Sequence, residues 1–118
     1  MALIPYTKLT GTENEAVVYL WEGVGQSDTC QPVKIPQYDD ATVSAFGTFG
    51  ASASIALEGS PEVESNPTNY YSMSSSSTTI ALTITATAKV VDENAIWYRP
   101  AISNGDGSTD IDVYLIKQ

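Results

Sequence analysis

The sequence predicts an all-β protein, a single-domain β-sandwich of the jelly-roll type with an extended N-terminal arm. Three observations favour this fold class. Apolar residues recur at every second position in several segments, residues typical of turns separate these segments, and no amphipathic pattern runs longer than two helical turns. A length of 118 residues suits one domain with its own core. We therefore predict an arm over residues 1–12 and a sandwich of about six to eight short strands over residues 13–118.

The N-terminal arm, MALIPYTKLTGT, concentrates apolar residues in a way that polar disordered tails do not. Pro5 disfavours a helix and favours an extended segment. Two arrangements fit this pattern: the arm adds to a sheet edge of a neighbouring subunit, or it pairs within its own domain. In the first arrangement the residues that contact the neighbour are Leu3, Ile4, Tyr6 and Leu9.

The next two segments predict strands of different kinds. In TENEAVVYLWEG, Thr12 and Glu15 have the spacing of a helix capping box, but the β-branched and aromatic residues that follow favour a strand, which is what we expect. In QPVKIPQYDD, Pro32 and Pro36 cannot donate a hydrogen bond to a neighbouring strand. This segment is therefore predicted to be an edge strand or an extended connector.

The middle of the chain begins with TVSAFGTFGASASIALEGS, in which apolar residues alternate from Ala51 to Leu57. Gly47 and Gly50 interrupt the upstream part, as a bulge or a sharp bend requires, so we expect one bent strand. Residues 60–77 are rich in Ser, Pro and Asn and predict the longest loop, with only NYYSM touching the core.

The most regular alternation lies in TTIALTITATAKV, which predicts a single half-buried strand. Its predicted core residues are Ile80, Leu82, Ile84, Ala86, Ala88 and Val90. The last two strands follow the same rule. One turns Ile96, Tyr98 and Ile102 to the core, and the other turns Ile111, Val113 and Leu115 to the core.

Residues 104–108 join these two strands and predict a hairpin turn. Asn104, Asp106 and Gly107 also match the middle of a calcium-binding loop. However, Ile102 and Val113 occupy the positions where the first and last ligands of such a loop belong. We therefore expect a turn without a metal ion.

The composition excludes several kinds of chemistry. The chain contains no His, which removes the usual general base, the Ser and Cys triads and most catalytic zinc sites. The lone Cys30 forms no intrachain disulfide and is expected to pack as a small apolar residue. The paired carboxylates fall in polar segments where nothing tunes them for proton transfer. They are Asp39 with Asp40, Glu62 with Glu64, and Asp110 with Asp112. We expect neither enzymatic activity nor a cofactor.

Charge and hydropathy narrow the possible partners. Fourteen acidic and five basic residues give a net charge of −9, which opposes binding to nucleic acid. The N-terminus lacks the basic start and the apolar core of a signal peptide. The longest apolar run, Ala16–Trp21, is far shorter than the ~20 residues of a membrane-spanning helix. We expect no signal peptide and no membrane association.

Two blocks of the sequence, TVSAFGTFGASASIALEGS and IWYRPAISNGDGSTDIDVYLI, resemble the short proteins encoded beside the major capsid protein of many tailed phages. In those proteins a strand reading G-T-F-G-G-A precedes E-G-S, an aromatic stretch follows, and the chain closes with Y-x-R-P, a G-x-G turn and a last alternating strand. The resemblance covers roughly residues 16–118. The matching residues are Gly47, Thr48, Phe49, Gly50, Glu58, Gly59, Ser60, Tyr70, Tyr71, Tyr98, Arg99, Pro100, Gly105, Asp106 and Gly107.

The chain departs from this pattern at two places: Ala51 stands at the second glycine, and PEVESNP replaces a short N-D-G turn. The resemblance implies a head decoration, or cement, protein that binds the major capsid protein on the outer surface of the virion as a β-sandwich oligomer, often a homotrimer. Such a protein is made in the host cytoplasm. Two alternatives remain, a tail or baseplate structural subunit and a carbohydrate-binding module that uses Tyr70, Tyr71 and Trp97.

Trp97 and Arg99 are further candidates for an interface, because they alternate with core-facing residues and belong to types enriched at binding hot spots. In the competing arrangement the second sheet of the sandwich covers Trp97, and Arg99 pairs with a carboxylate such as Asp112.

Overall fold

Two large β-sheets packed face to face and a separate two-stranded hairpin make up the computed structural model, which describes residues 2–10, 17–35 and 40–117. The described residues contain no helix, and the predicted all-β sandwich fold is confirmed. The strands are β1 (Leu3–Ile4), β2 (Tyr6–Thr10), β3 (Val17–Val24), β4 (Thr29–Cys30), β5 (Val33–Lys34), β6 (Ala41–Thr48), β7 (Ser54–Ser60), β8 (Tyr71–Ser72), β9 (Ser74–Ser75), β10 (Thr78–Thr79), β11 (Thr87–Val91), β12 (Trp97–Ser103) and β13 (Asp110–Lys117).

Sheet I has the strand order β1-β4-β12-β7-β8, with β5 also paired to β12, and sheet II has the order β2-β3-β13-β6-β11. Strands β4 and β5 lie in succession along β12 and act as one interrupted strand. Omitting β1, β2 and the small hairpin β9–β10, the strand orders of the two sheets are β4/β5-β12-β7-β8 and β3-β13-β6-β11, which is the arrangement of a jelly roll. Strands β1 and β2 each extend one sheet at an edge.

The core lies between the sheets and contains buried side chains from both. Trp21 of sheet II and Tyr98 of sheet I are its largest members, and both are fully buried. Each has a partner for its polar atom: Trp21 Nε1 donates to the carbonyl oxygen of Gln31 at 2.8 Å, and the Tyr98 hydroxyl accepts from the backbone N–H of Ala95 at 2.9 Å. These bonds remove most of the cost of burying the two polar tips.

The segment TTIALTITATAKV is not one strand, so that prediction is wrong. Ile80 and Leu82 are buried as expected, but Ile84 is 62% exposed and Val90 is 60% exposed. A turn at residues 84–86, with Ala86 at φ 63°, separates the two halves. The chain passes there from a bridge between Leu82 and Ile55 in sheet I to the pairing of β11 with β6 in sheet II. The change of sheet reverses which alternate residues face the core, so Val91 is buried instead of Val90.

The single bent strand predicted through Gly47 and Gly50 is also wrong. Strand β6 belongs to sheet II and β7 to sheet I, and residues 49–53 cross between the sheets. Gly50 has φ +75° in this crossing, a conformation that glycine adopts without strain. The glycines therefore mark a change of sheet, because the chain turns there through a corner of the sandwich.

The hairpin predicted at residues 104–108 is a third correction. Strand β12 pairs only with strands of sheet I and β13 only with strands of sheet II, so this segment also crosses between the sheets. Of the predicted core residues, Tyr98, Ile111, Val113 and Leu115 are fully buried and Ile102 packs against the core. Ile96 lies before β12 and is only partly buried, so its placement in the core face of that strand is wrong.

Other predictions are confirmed. Residues 17–24 form a strand, and residues 33–34 pair with β12. Met73 of the NYYSM segment is fully buried. Residues 36–39, with Pro36, lie outside the described residues, as do residues 11–16, where we predicted the boundary between arm and sandwich.

The arm pairs within its own domain. Strand β1 runs parallel to β4, and β2 runs antiparallel to β3. Of the two arrangements that the sequence allowed, the described part of the arm therefore adopts the second.

Candidate interaction surfaces

The crossing at residues 49–53 and the crossing after β12 contact each other and form one corner of the sandwich. The carboxylate of Asp106 accepts hydrogen bonds from the backbone N–H of Ala51 at 2.9 Å and of Ser108 at 2.9 Å. Thr109 Oγ1 donates to the carbonyl oxygen of Phe49 at 2.7 Å. The hydrogen bonds from the side chain and backbone of Ser108, and then from Ala51, lower the pKa of Asp106 below its usual value. The carboxylate that suggested a calcium loop therefore closes this corner instead.

Glycine is required at this corner for a steric reason. A Cβ atom on Gly50 would lie 2.5 Å from Asp106 Oδ1, and one on Gly47 would lie 2.3 Å from the carbonyl oxygen of Asp110. Residues from both sequence blocks of the phage-protein resemblance thus meet here, although about 55 positions separate them.

A second cluster lies on the outer face of sheet I, the face that points away from the core. Arg99 of β12 stands opposite Glu58 of β7, and its Nε lies 2.9 Å from Glu58 Oε1. The same guanidinium lies 3.6 Å from the centre of the Tyr70 ring, the distance of a stacked cation–π contact. Arg99 therefore pairs with a carboxylate, as we predicted for the arrangement in which Trp97 is covered. Its partner is Glu58, however, and not Asp112.

Trp97 lies on the same outer face and is half-buried. Lys34, directly across from it on β5, holds its ammonium 5.9 Å from the centre of the indole ring and donates to the carbonyl oxygen of Val63 at 3.3 Å. Val63 belongs to loop 61–70. Trp97 is therefore contacted by Lys34 of β5, which is itself bound to this loop, and not by the second sheet that we expected to cover it. Trp97 Nε1 is buried and, within the described part of the molecule, has no hydrogen-bond partner.

Loop 61–70 is held in place by Glu62. The Glu62 carboxylate accepts from the backbone N–H of Thr68 at 2.6 Å and of Asn69 at 2.8 Å. The backbone hydrogen bonds from Asn69 and Thr68 lower the pKa of Glu62 below its usual value. These bonds connect the two ends of the loop, and the next residue, Tyr70, contacts Arg99.

The aromatic residues proposed for sugar binding do not form one open platform. One face of Tyr70 is covered by Arg99. Tyr71 is paired with Gly59, next to the pair of Ser72 with Glu58, so it projects to the opposite side of sheet I from Glu58. Its hydroxyl donates to the carbonyl oxygen of Asn94 at 3.1 Å.

The predicted contact residues of the arm divide into two pairs. Ile4 and Tyr6 pack against the core, and the Tyr6 ring lies 5.9 Å from that of Tyr19 and 6.3 Å from that of Trp21. Leu3 and Leu9 point outward and are 64% and 43% exposed. Of these four residues, Leu3 and Leu9 are therefore the most accessible to another molecule.

No metal-binding cluster stands out in the portion of the chain that the structure describes. Cys30 is buried, and burial, followed by the charge of Asp28, raises the pKa of its thiol to about 12, which makes it unreactive. The described residues contain no group of three or more His, Cys, Asp or Glu side chains placed to hold a metal ion. They also contain no helix long and apolar enough to cross a membrane.

The sequence interpretation missed the outer face of sheet II. The strand register aligns two rows of side chains across all five strands of this face. One row is Leu9, Val18, Ile116, Thr42 and Val90, and the other is Thr7, Leu20, Tyr114, Ser44 and Ala88. Beside them, Phe46 is 46% exposed and meets Tyr114 edge-on at 5.7 Å. The sequence did contain a pattern that indicates this surface, because β3 and β13 carry apolar residues on both faces.

Comparison of the chain with protein-family models, with curated proteins and with solved structures finds no match.

Proposed function

We propose that this chain is a structural virion protein that binds the outer surface of a tailed-phage capsid and stabilises the lattice of the major capsid protein. The observation that carries the proposal is the mutual contact of residues from the two resembling sequence blocks. Gly50 packs against Asp106 at the corner, and Glu58 pairs with Arg99 on sheet I. Residues of the two resembling sequence blocks thus form joint structural units in this chain, which supports treating the two blocks as parts of one motif.

The physical properties of the domain support the same role. A cement protein requires a rigid body with surfaces that match its neighbours, and the jelly-roll sandwich is closed by hydrogen bonds at its corner. The net charge of −9 suits a subunit on the outside of the shell, separated from packaged DNA. In this role the chain has no catalytic activity and needs no cofactor. The resemblance also implies self-association, often as a trimer.

The test is coexpression of the chain with the major capsid protein of the same phage. We expect the chain to cosediment with assembled heads at a fixed ratio to the capsid protein. Cryo-electron microscopy should then show its density outside the shell. A chain that stays in the unassembled fraction would contradict the capsid role. In a reconstruction of the whole virion, density in the tail or baseplate would support the tail-subunit alternative instead, and absence from both head and tail would refute both. Binding to a glycan array would support the carbohydrate-binding module.

A matched pair of variants tests whether the arm takes part in attachment. Leu3 in the arm is 64% exposed and Ile84 in the turn before β11 is 62% exposed, so a glutamate at either position adds the same charge at similar exposure. If the arm contacts the capsid, Leu3→Glu lowers the amount of chain on heads and Ile84→Glu does not. Equal binding of both variants to heads would show that the arm does not contact the capsid.

A further inference from the structure

We propose that Lys8 and Lys89 keep the two edges of sheet II from pairing with strands of other molecules. Strands β2 and β11 are the outermost strands of this sheet, so among the described residues each pairs with a strand of the sheet on one side only. The backbone groups on the other side of such a strand can hydrogen-bond to a strand of another chain. Lys8 is the middle residue of β2, and Lys89 is the middle residue of β11. This protection of the edges does not depend on the proposed capsid role.

The strand register places both lysines in one row of side chains that faces the core. The row consists of Lys8, Tyr19, Leu115, Val43 and Lys89, one residue from each strand of sheet II. Its three middle members belong to the core cluster and are at most 6% exposed, whereas the two lysines are exposed. A lysine at the rim of a core can cover apolar residues with its methylene groups and keep its ammonium in water. A row of core residues therefore begins and ends with a charge.

The inward direction of the two lysines is what opposes a further strand. A strand that paired with β2 would continue the row by one residue and would cover Lys8, and a strand on β11 would cover Lys89 in the same way. The added residue would replace the water around the ammonium, and an unpaired buried charge is strongly unfavourable. A lysine on the outer face of an edge strand would remain in water after such pairing. Inward-pointing charges are accordingly one of the means by which β-proteins prevent association through their edges.

Neither edge lysine has a carboxylate partner among the described residues, although the chain contains 14 acidic residues. The other three basic residues, Lys34, Arg99 and Lys117, each hold their charge near an aromatic ring. A carboxylate beside the ammonium would neutralise it and would lower the cost of covering it. The unpaired charges of Lys8 and Lys89 are therefore suited to blocking an edge.

The edges of sheet I are protected by their shortness. Its outermost strands, β1 and β8, contain two residues each and offer few backbone groups to another strand. Strands β2 and β11 contain five residues each. The hairpin β9–β10 borders β11 at one end, where the N–H of Asp92 donates to the carbonyl oxygen of Ser74 at 2.7 Å. The two lysines thus occur on the outermost strands that are long enough to accept a further strand.

The test replaces both lysines in one variant, Lys8→Val with Lys89→Val. This change makes an acidic chain more acidic, so repulsion between whole molecules predicts weaker self-association. Unblocked edges predict the opposite. By sedimentation velocity across the micromolar range, we expect the double variant to self-associate at least about tenfold more strongly than the parent chain. Circular dichroism should show the strand content of the parent, because both replaced side chains are exposed. A mass equal to or below that of the parent overturns the proposal.

The comparison is repeated at about 1 M salt, where the Debye length is about 3 Å and repulsion between the acidic chains is screened. Association must be absent at both ionic strengths to count against the edges. Lys34→Val is the matched control, because it removes the same charge and adds the same side chain on sheet I. Lys8→Glu with Lys89→Glu keeps a charge at both edges. Both controls should retain the mass of the parent, and association of either one as strong as that of the double valine variant would overturn the proposal.

The single variants separate the two edges. Lys8→Val alone opens one edge, so pairing between two copies uses that edge up and should stop when the mass of the parent species has doubled. The double variant has two open edges and should form larger assemblies. Hydrogen exchange then locates the contact. Amides of β2 and β11 that point away from the sheet should exchange quickly in the parent and slowly in the associated double variant, and protection found only elsewhere would overturn the proposal.

Discussion

The two outer faces of the sandwich differ in how their residues are covered. On sheet I, charged and aromatic side chains are contacted by the chain's own loop 61–70, through Tyr70 on Arg99 and through Val63 beside Lys34. On sheet II, two uncharged rows cross five strands. Leu20 and Ser44 within them are buried, and Leu9 and Val90 at their ends are 43% and 60% exposed. The outer face of sheet I can contain the ion pair of Arg99 with Glu58 because both charges belong to the same chain and neutralise each other there. An uncharged surface is suited to cover by another molecule, because covering it buries no charge.

This difference predicts unequal contributions of aromatic residues to folding. Trp97 is half-buried on the outer face of sheet I, where Lys34 contacts its ring. Trp97→Ala should therefore lower the free energy of unfolding by about 2–3 kcal/mol. Phe46→Ala on sheet II should cost less than about 1 kcal/mol in the monomer, since Phe46 is 46% exposed. Urea unfolding at low protein concentration measures both. Similar losses for the two variants would show that the faces are not covered differently.

Trp97→Phe is the control for this comparison. It keeps an aromatic ring and removes the buried Nε1–H, which lacks a partner among the described residues. An unpartnered buried donor carries a desolvation cost, so its removal offsets part of the lost contact area. We expect a change within about 1 kcal/mol.

The ion pair on sheet I should contribute less than the Trp97 ring. Arg99→Ala removes both the contact with Glu58 and the stack on Tyr70, and each side chain of the pair is 27% exposed. We expect a loss of about 1 kcal/mol, because partial exposure screens the pair. Arg99→Lys keeps the charge without the planar stack and should recover only part of it. A double-mutant cycle with Glu58→Ala separates the two contacts, and a coupling energy near zero would mean that the pair does not contribute.

Loop 61–70 should loosen in acid because Glu62 holds it. The pKa of Glu62 is lowered from 4.5 in the folded state. Its contribution to stability is therefore present above about pH 4.5 and is lost as the pH falls through the folded-state pKa. Glu62→Gln should make the melting temperature depend less on pH between neutrality and pH 3 than in the parent chain. Glu64→Gln, two residues further along the loop, should keep the parent dependence. Identical profiles for all three chains would contradict this role of Glu62.

The smallest change in the free energy of unfolding is expected for a substitution on the outer face of sheet II in the isolated monomer. Val90→Glu replaces a residue that is 60% exposed on the edge strand β11, so the free energy of unfolding should change by less than about 0.5 kcal/mol. The measurement is urea unfolding at a concentration where both chains are monomeric. A loss above 1 kcal/mol would show that Val90 supports folding and not association.

Much of the fold could be predicted from the sequence because alternation reports which residues are buried. The core faces of the last two strands follow from the period of two, and so does the strand at Val17–Val24. Alternation does not report which sheet a strand joins. The crossings at residues 49–53, 84–86 and 104–109 were for that reason predicted as a bend, a continuous strand and a hairpin.

The sequence by itself determined the class of the fold, the absence of His chemistry and the acidic net charge. These follow from composition and local periodicity, which do not depend on contacts between distant residues. Only the tertiary structure decided that Asp106 joins two crossings, that Glu58 is the partner of Arg99, and that two rows on sheet II form one uncharged surface. Each of these depends on strand register and sheet order, which are set by packing between segments far apart in the chain.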